Sequence, residues 1–104
     1  MKRREIVNKI AIAMKSIAPE ATTILYGSEA RGDARPDSDI DLLVLLPDNA
    51  TDDYSLKKLA ISNKLFEIEL FHNVLISPLI LLKSMWESRI TPFTCNVSND
   101  GIIL

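Results

Sequence analysis

The sequence predicts a small α/β domain, a mixed sheet of three or four strands backed by helices on one side, and three stretches predict it. Ile6, Ile10, Ala13, Met14 and Ile17 recur at helical spacing, with Lys9, Lys15 and Ser16 turned elsewhere. Thr22-Thr23-Ile24-Leu25-Tyr26 is a β-rich run that ends at Gly27. Asp39 to Leu46 is apolar apart from two carboxylates and closes at Pro47. A helix, a strand entering a tight turn, and a second strand follow from these patterns.

The first helix stops before Pro19, because proline restricts the residue ahead of it. Between the two strands, Ser28 to Ser38 is polar and holds Gly32 and Pro36. Its early part can form a helical turn, and its later part must be loop. Asp48 to Asp53 is a turn-rich connection into a second helix beginning near Tyr54. The end of that helix has two readings. Phe66-Glu67-Ile68-Glu69-Leu70 alternates like a strand, yet the helix can also run to about Phe71 with Asn73 at its C-terminal cap. Val74 to Ser77 reads as a third strand limited by Pro78. Ser84-Met85-Trp86-Glu87 has capping-box spacing, so a short helix starts there, with Trp86 anchoring it to the sheet. From Thr91 onward the pattern is weak until the apolar Ile102-Ile103-Leu104.

Hydrophobic residues make up 47% of the chain, enough for a core, so residues 1–104 are expected to form one domain. A net charge of −2 and the lack of a basic stripe argue against an extended nucleic-acid surface. Cys95 is the only cysteine, so no internal disulfide forms; a small buried hydrophobe in a reducing cytoplasm is the expectation. The most apolar run, Val74 to Leu82, is interrupted by Ser77 and Pro78 and is too short for a membrane span.

Chemistry concentrates between Gly27 and Asp41. Asp39 and Asp41 alternate with Ile40 on a strand, so both carboxylates face one side. Two such carboxylates repel and lose solvation unless a cation sits between them. Magnesium suits them, taking few protein oxygens and the rest from water and phosphate. Gly27 allows close backbone approach where a strand gives way to a helical turn, and free N–H groups there attract phosphate. The Ser28 hydroxyl adds a donor, and Arg31 follows one turn later to neutralise a triphosphate. Arg35 and His72 read as solvated loop residues.

Gly27-Ser28, ten residues, then Asp39-Ile40-Asp41 resembles the signature of the polymerase-beta-type nucleotidyltransferase superfamily. The flanking Ala30-Arg31-Gly32 and Ser38 are similar to its small stand-alone members, the minimal nucleotidyltransferases. The resemblance implies the small nucleotidyltransferase fold and transfer of a nucleoside monophosphate, AMP from ATP, to an acceptor hydroxyl with release of pyrophosphate. It implies that Asp39 and Asp41 hold magnesium and that Gly27, Ser28 and Arg31 hold the nucleotide. Minimal members often serve as the antitoxin of a toxin–antitoxin pair, so a small helical HEPN-type partner is implied as well. The alternative is a binding module with weak or no catalysis that neutralises such a partner by complex formation. An aminoglycoside nucleotidyltransferase is a distant third. The superfamily's third carboxylate has no fixed place here: Glu67, Glu69, or none with Asn73 in its position.

Overall fold

The computed structural model describes residues 2–48 and 54–104, so most of the turn-rich connection expected over 48–53 lies outside the described residues. Helix α1 (Lys2–Ile17) leads into strand β1 (Thr22–Tyr26), and a short helix α2 (Gly27–Arg31) precedes β2 (Ile40–Leu46). Helix α3 (Tyr54–His72) connects to β3 (Ile76–Leu82), and the short α4 (Lys83–Glu87), α5 (Pro92–Asp100) and β4 (Ile102–Ile103) complete the chain. The four strands form one sheet in the order β3-β2-β1-β4. It is mixed: β2 runs antiparallel to β1 and parallel to β3, and β4 is antiparallel to β1.

Strand β2 lies inside the sheet and is apolar on both faces, as expected of a strand covered twice. Ile40, Leu42, Val44 and Leu46 point to one face, where they pack with Ile6, Ile10 and Met14 of α1 and Ile61, Leu65 and Ile68 of α3. Leu43 and Leu45 point the other way and meet Leu81 and Val97, with Trp86 packed against them. Two long helices therefore back one face, but α4 and α5 cover part of the other, so the helices are not confined to one side as expected: Leu43 and Leu45 make the second face apolar as well. Trp86 anchors as the sequence suggested. On α5, Thr94 and Val97 take the inward positions, so the intervening Cys95 turns outward and is exposed rather than buried.

The second helix runs through the ambiguous stretch to His72, which excludes the strand reading of Phe66 to Leu70. Asn73 has φ 54, the left-handed conformation that ends helices, and the Val74 N–H donates to the Glu69 carbonyl at 3.3 Å. The third strand starts at Ile76 and continues through Pro78 to Leu82, not Val74 to Ser77 as the sequence suggested. Proline is tolerated because β3 is an edge strand, hydrogen-bonded only to β2.

The capping box also lies elsewhere. Helix α4 begins at Lys83 without a side-chain cap, and the Asp48 carboxylate instead accepts the Ser84 N–H at 3.0 Å. Thr91 and Thr94 form the reciprocal pair, each hydroxyl accepting the other's N–H, with Pro92 opening α5. The sequence signal was weak because threonine replaces the usual glutamate. The apolar C-terminal residues extend the sheet: the Leu104 N–H donates to the Thr23 carbonyl at 2.9 Å, and Leu104 packs on the main core.

The left-handed helix end makes Asn73 sensitive to side-chain shape. Replacing it with valine should lower stability by about 1–2 kcal/mol in urea unfolding, because a β-branched residue is strained at positive φ. An unchanged midpoint would mean that the helix does not end in this conformation.

Candidate active site

Tyr26, the last residue of β1, pairs in register with Asp41 on β2. The chain then turns at Gly27 with φ 74 and enters α2, and Gly32 at φ 82 releases it. A Cβ at Gly27 would overlap a carboxylate oxygen of Asp41. Glycine is thus required twice, for the positive φ and for the close approach. The first N–H groups of α2 have no intrahelical acceptor, as at any helix start, and Gly27 and Ser28 supply them beside the Asp41 carboxylate.

Asp39 and Asp41 share the parity of Leu43 and Leu45, so they belong to the face opposite α1 and α3. Asp39 is exposed just ahead of β2, and Asp41 is half-buried within it. Ser77, the register partner of Asp41 on β3, donates its hydroxyl to Asp39 Oδ2 at 3.3 Å. Burial raises the Asp41 carboxyl above its ordinary range, the Asp39 charge raises it further, and Arg31 partly offsets both. Tyr26 is likewise raised, by burial and then by Asp41. Excess negative charge at this spot is what a cation would relieve. The available donors (two carboxylates and the Ser77 hydroxyl) are hard oxygens that fit magnesium.

Arg31 is exposed, its Nε 3.4 Å from Asp33 Oδ2. It lines a cavity of about 190 Å³ with Tyr26, Gly27, Phe93 and Asn96, next to the glycine turn. The structure brings Gly27 and Asp41 into contact and links Asp39 to β3, while Arg31 sits at the rim, paired with Asp33.

Arg3 is the residue that sequence reasoning missed. It is 7% exposed, and its Nε donates to Glu29 of α2 at 2.5 Å. Its terminal nitrogens donate to the carbonyls of Pro36 (3.1 Å) and Ser38 (2.7 Å). One guanidinium therefore ties α2 to the loop that delivers Asp39. The available signal was its position: Arg3 lies on the same helical face as Ile6 and Ile10, where a charge is out of place without partners.

The two glutamates weighed as a third carboxylate lie on α3, across the sheet from Asp39 and Asp41. Glu69 accepts the Ile76 N–H at 2.9 Å, and Glu67 is 3.4 Å from Lys64. Asn73 caps the helix rather than facing the site. Ser77 occupies the place beside Asp41 on the neighbouring strand, and among the described residues no group of three or more His, Cys, Asp or Glu is arranged to hold a metal ion.

The nucleotidyltransferase domain family model matches residues 7–91. The chain belongs to that family. The chain is also 35% identical over 79 residues to a Methanocaldococcus jannaschii protein named "Putative protein adenylyltransferase", covering 76% of this chain and 73% of that one. A solved toxin–antitoxin structure with AMP-PNP superposes with a TM-score of 0.58 at 19% identity, over 95% of this chain and 69% of that one. At that identity the second likeness supports the nucleotidyltransferase fold. Among the described residues no helix is long and apolar enough to cross a membrane.

The raised Asp41 carboxyl has a testable consequence for stability. Its unperturbed value is 3.8, and between there and the raised folded value the folded protein binds more protons than the unfolded chain. That contribution is full below 3.8 and is lost as pH rises through the window. Asp41→Asn should remove the loss. In chelator, the melting temperature of the variant minus that of the wild type should rise across the window and stay positive above it. A difference independent of pH would contradict the burial and repulsion assigned to Asp41.

Proposed function

We propose that this domain transfers AMP from magnesium-bound ATP to a hydroxyl group on a partner protein. The observation that carries the proposal is the contact of the Gly27 turn with Asp41, which sets phosphate-binding N–H groups beside the carboxylates. Gly27 and Ser28 donate to the β- and γ-phosphate oxygens, and Arg31 swings from Asp33 to neutralise them. Asp39 and Asp41 hold magnesium, which when bound neutralises phosphate charge and lowers the pKa of the attacking hydroxyl. The acceptor oxygen bonds to the α-phosphorus, the bond to the bridging oxygen breaks, and pyrophosphate leaves. The family supports nucleotidyl transfer. The name of the archaeal relative supports adenylate and a protein acceptor, and the AMP-PNP in the toxin–antitoxin structure supports an adenine nucleotide. The partner we infer is a small helical HEPN-type protein, with this chain as a cytoplasmic antitoxin and residues 1–104 acting as one domain.

A second reading is favoured by one observation. Ser77 stands where a carboxylate on β3 would complete the site, and a serine hydroxyl is a poor base at neutral pH. In that reading the domain binds nucleotide and neutralises its partner by complex formation.

Incubation with labelled ATP, magnesium and the co-purifying partner, followed by intact-mass analysis, separates the two. Transfer of one adenylate to the partner should fall by at least about a hundredfold in Asp39→Asn/Asp41→Asn and persist in Glu67→Gln. A complex that forms without any transfer supports the second reading. Transfer abolished by Glu67→Gln would contradict the placement of α3 across the sheet.

A further inference from the structure

Helix α5 turns one face toward the glycine turn, and packing accounts for only part of that face. Phe93, Asn96, Val97 and Asp100 recur at helical spacing and share it. Val97 is buried with Leu43, Leu45 and Leu81, which fastens the helix to the sheet. Phe93 (44% exposed), Asn96 and Asp100 stay accessible along the cavity of about 190 Å³, which Tyr26, Gly27 and Arg31 also line. The helix begins at Pro92, one residue beyond the segment that the family model matches, so this wall lies outside the shared core.

We propose that this cavity is the base pocket of the nucleotide site, with Phe93 packing against the base and Asn96 selecting adenine. The pocket presupposes the nucleotide site proposed above and adds to it the residues that choose the nucleotide. Its volume is below the roughly 300 Å³ at which sites for whole small molecules begin, so it holds one part of the nucleotide. Its two walls differ in chemistry. The α2 wall offers the Gly27 backbone and the Arg31 guanidinium, which suit phosphate. The α5 wall offers an aromatic ring and an amide, which suit a base.

The aromatic ring is fixed before any ligand arrives. Tyr26 and Phe93 meet edge to face with centroids 5.6 Å apart, and Trp86 braces Phe93 from 6.1 Å. The Thr91–Thr94 capping box holds the first turn of α5, where Phe93 sits. Tyr26 is the register partner of Asp41, so this aromatic surface adjoins the carboxylates. Every base has a π face, so Phe93 supplies affinity without choosing among bases.

Asn96 supplies the choice. Its amide presents a donor and an acceptor side by side, matching the amino group and ring nitrogen of adenine, whereas guanine presents two acceptors at the same edge. Asp100, on the same wall, repels phosphate and so directs the phosphates toward α2.

The test is calorimetric titration of the full chain, in magnesium, with ATP, GTP and inorganic tripolyphosphate. ATP should bind the wild type about tenfold more tightly than GTP, and Asn96→Ala should lower ATP affinity to about the GTP level. Phe93→Ala should weaken ATP and GTP alike, by about tenfold each. Tripolyphosphate has no base, so it should bind the wild type and both variants equally, which also shows that the variants are folded. Equal binding of ATP and GTP by the wild type, or unchanged ATP binding in Asn96→Ala, would overturn the base pocket and leave the phosphate site standing. Asn96→Ala weakening tripolyphosphate as much as ATP would overturn it too, by placing Asn96 on the phosphates. A wild type that binds none of the three would overturn the nucleotide site itself, and the base pocket with it.

Discussion

The Gly27 backbone and the Asp41 carboxylate lie so close that no side chain fits between them, and the geometry of the strand ends follows from that contact. The antiparallel register fixes it, because Tyr26 opposite Asp41 brings the residue that follows β1 over the carboxylate. Positive φ at Gly27 then turns the chain away from the sheet and into α2. Asp41 is half-buried as a result, and its proton is held more tightly than usual, with Asp39 adding repulsion two residues away. The chain maintains an electrostatically unfavourable pair beside the first N–H groups of α2, which have no side-chain cap. A metal-bound polyanion would satisfy both at once.

The sheet divides the labour between its faces. One is a closed core built by α1 and α3, and it supplies the stability. The other carries Asp39, Asp41 and Ser77 at its open end, with α4 and α5 covering only part of it. Arg3 connects the two. Rooted among the core residues of α1, it reaches the carbonyls next to Asp39 and the carboxylate of α2, so the core fixes the loop. Removing one partner of such a buried pair typically costs about 3–5 kcal/mol, which makes Arg3 a positioning residue as much as a structural one.

Much of this was legible in the sequence where a single local rule decides. The span Thr22–Tyr26 and the turn at Gly27 follow from β propensity and one glycine, and the paired aspartates follow from strand alternation. The helical reading through Phe71 followed from Asn73 as a cap. Other features depend on contacts between distant residues, which periodicity cannot reveal. Pro78 stops a strand only if both edges are paired, and β3 has one open edge. Ser84 looked like a cap until Asp48 took that role from another loop. Arg3 gave no signal along the chain because its three partners lie 26 to 35 residues away. The opposition of Ser77 and Asp41 is a matter of register, which no spacing along the chain encodes.

We propose that Asp39 and Asp41 act together as the metal-binding half of a nucleotide site. Calorimetric titration of ATP into the wild type and into Asp39→Asn/Asp41→Asn, each with and without magnesium, tests that directly. The wild type should bind ATP far more tightly with magnesium than without it. The double variant should keep its fold and lose the magnesium-dependent increment. Equal magnesium-dependent binding by the two proteins would contradict the assignment of these carboxylates.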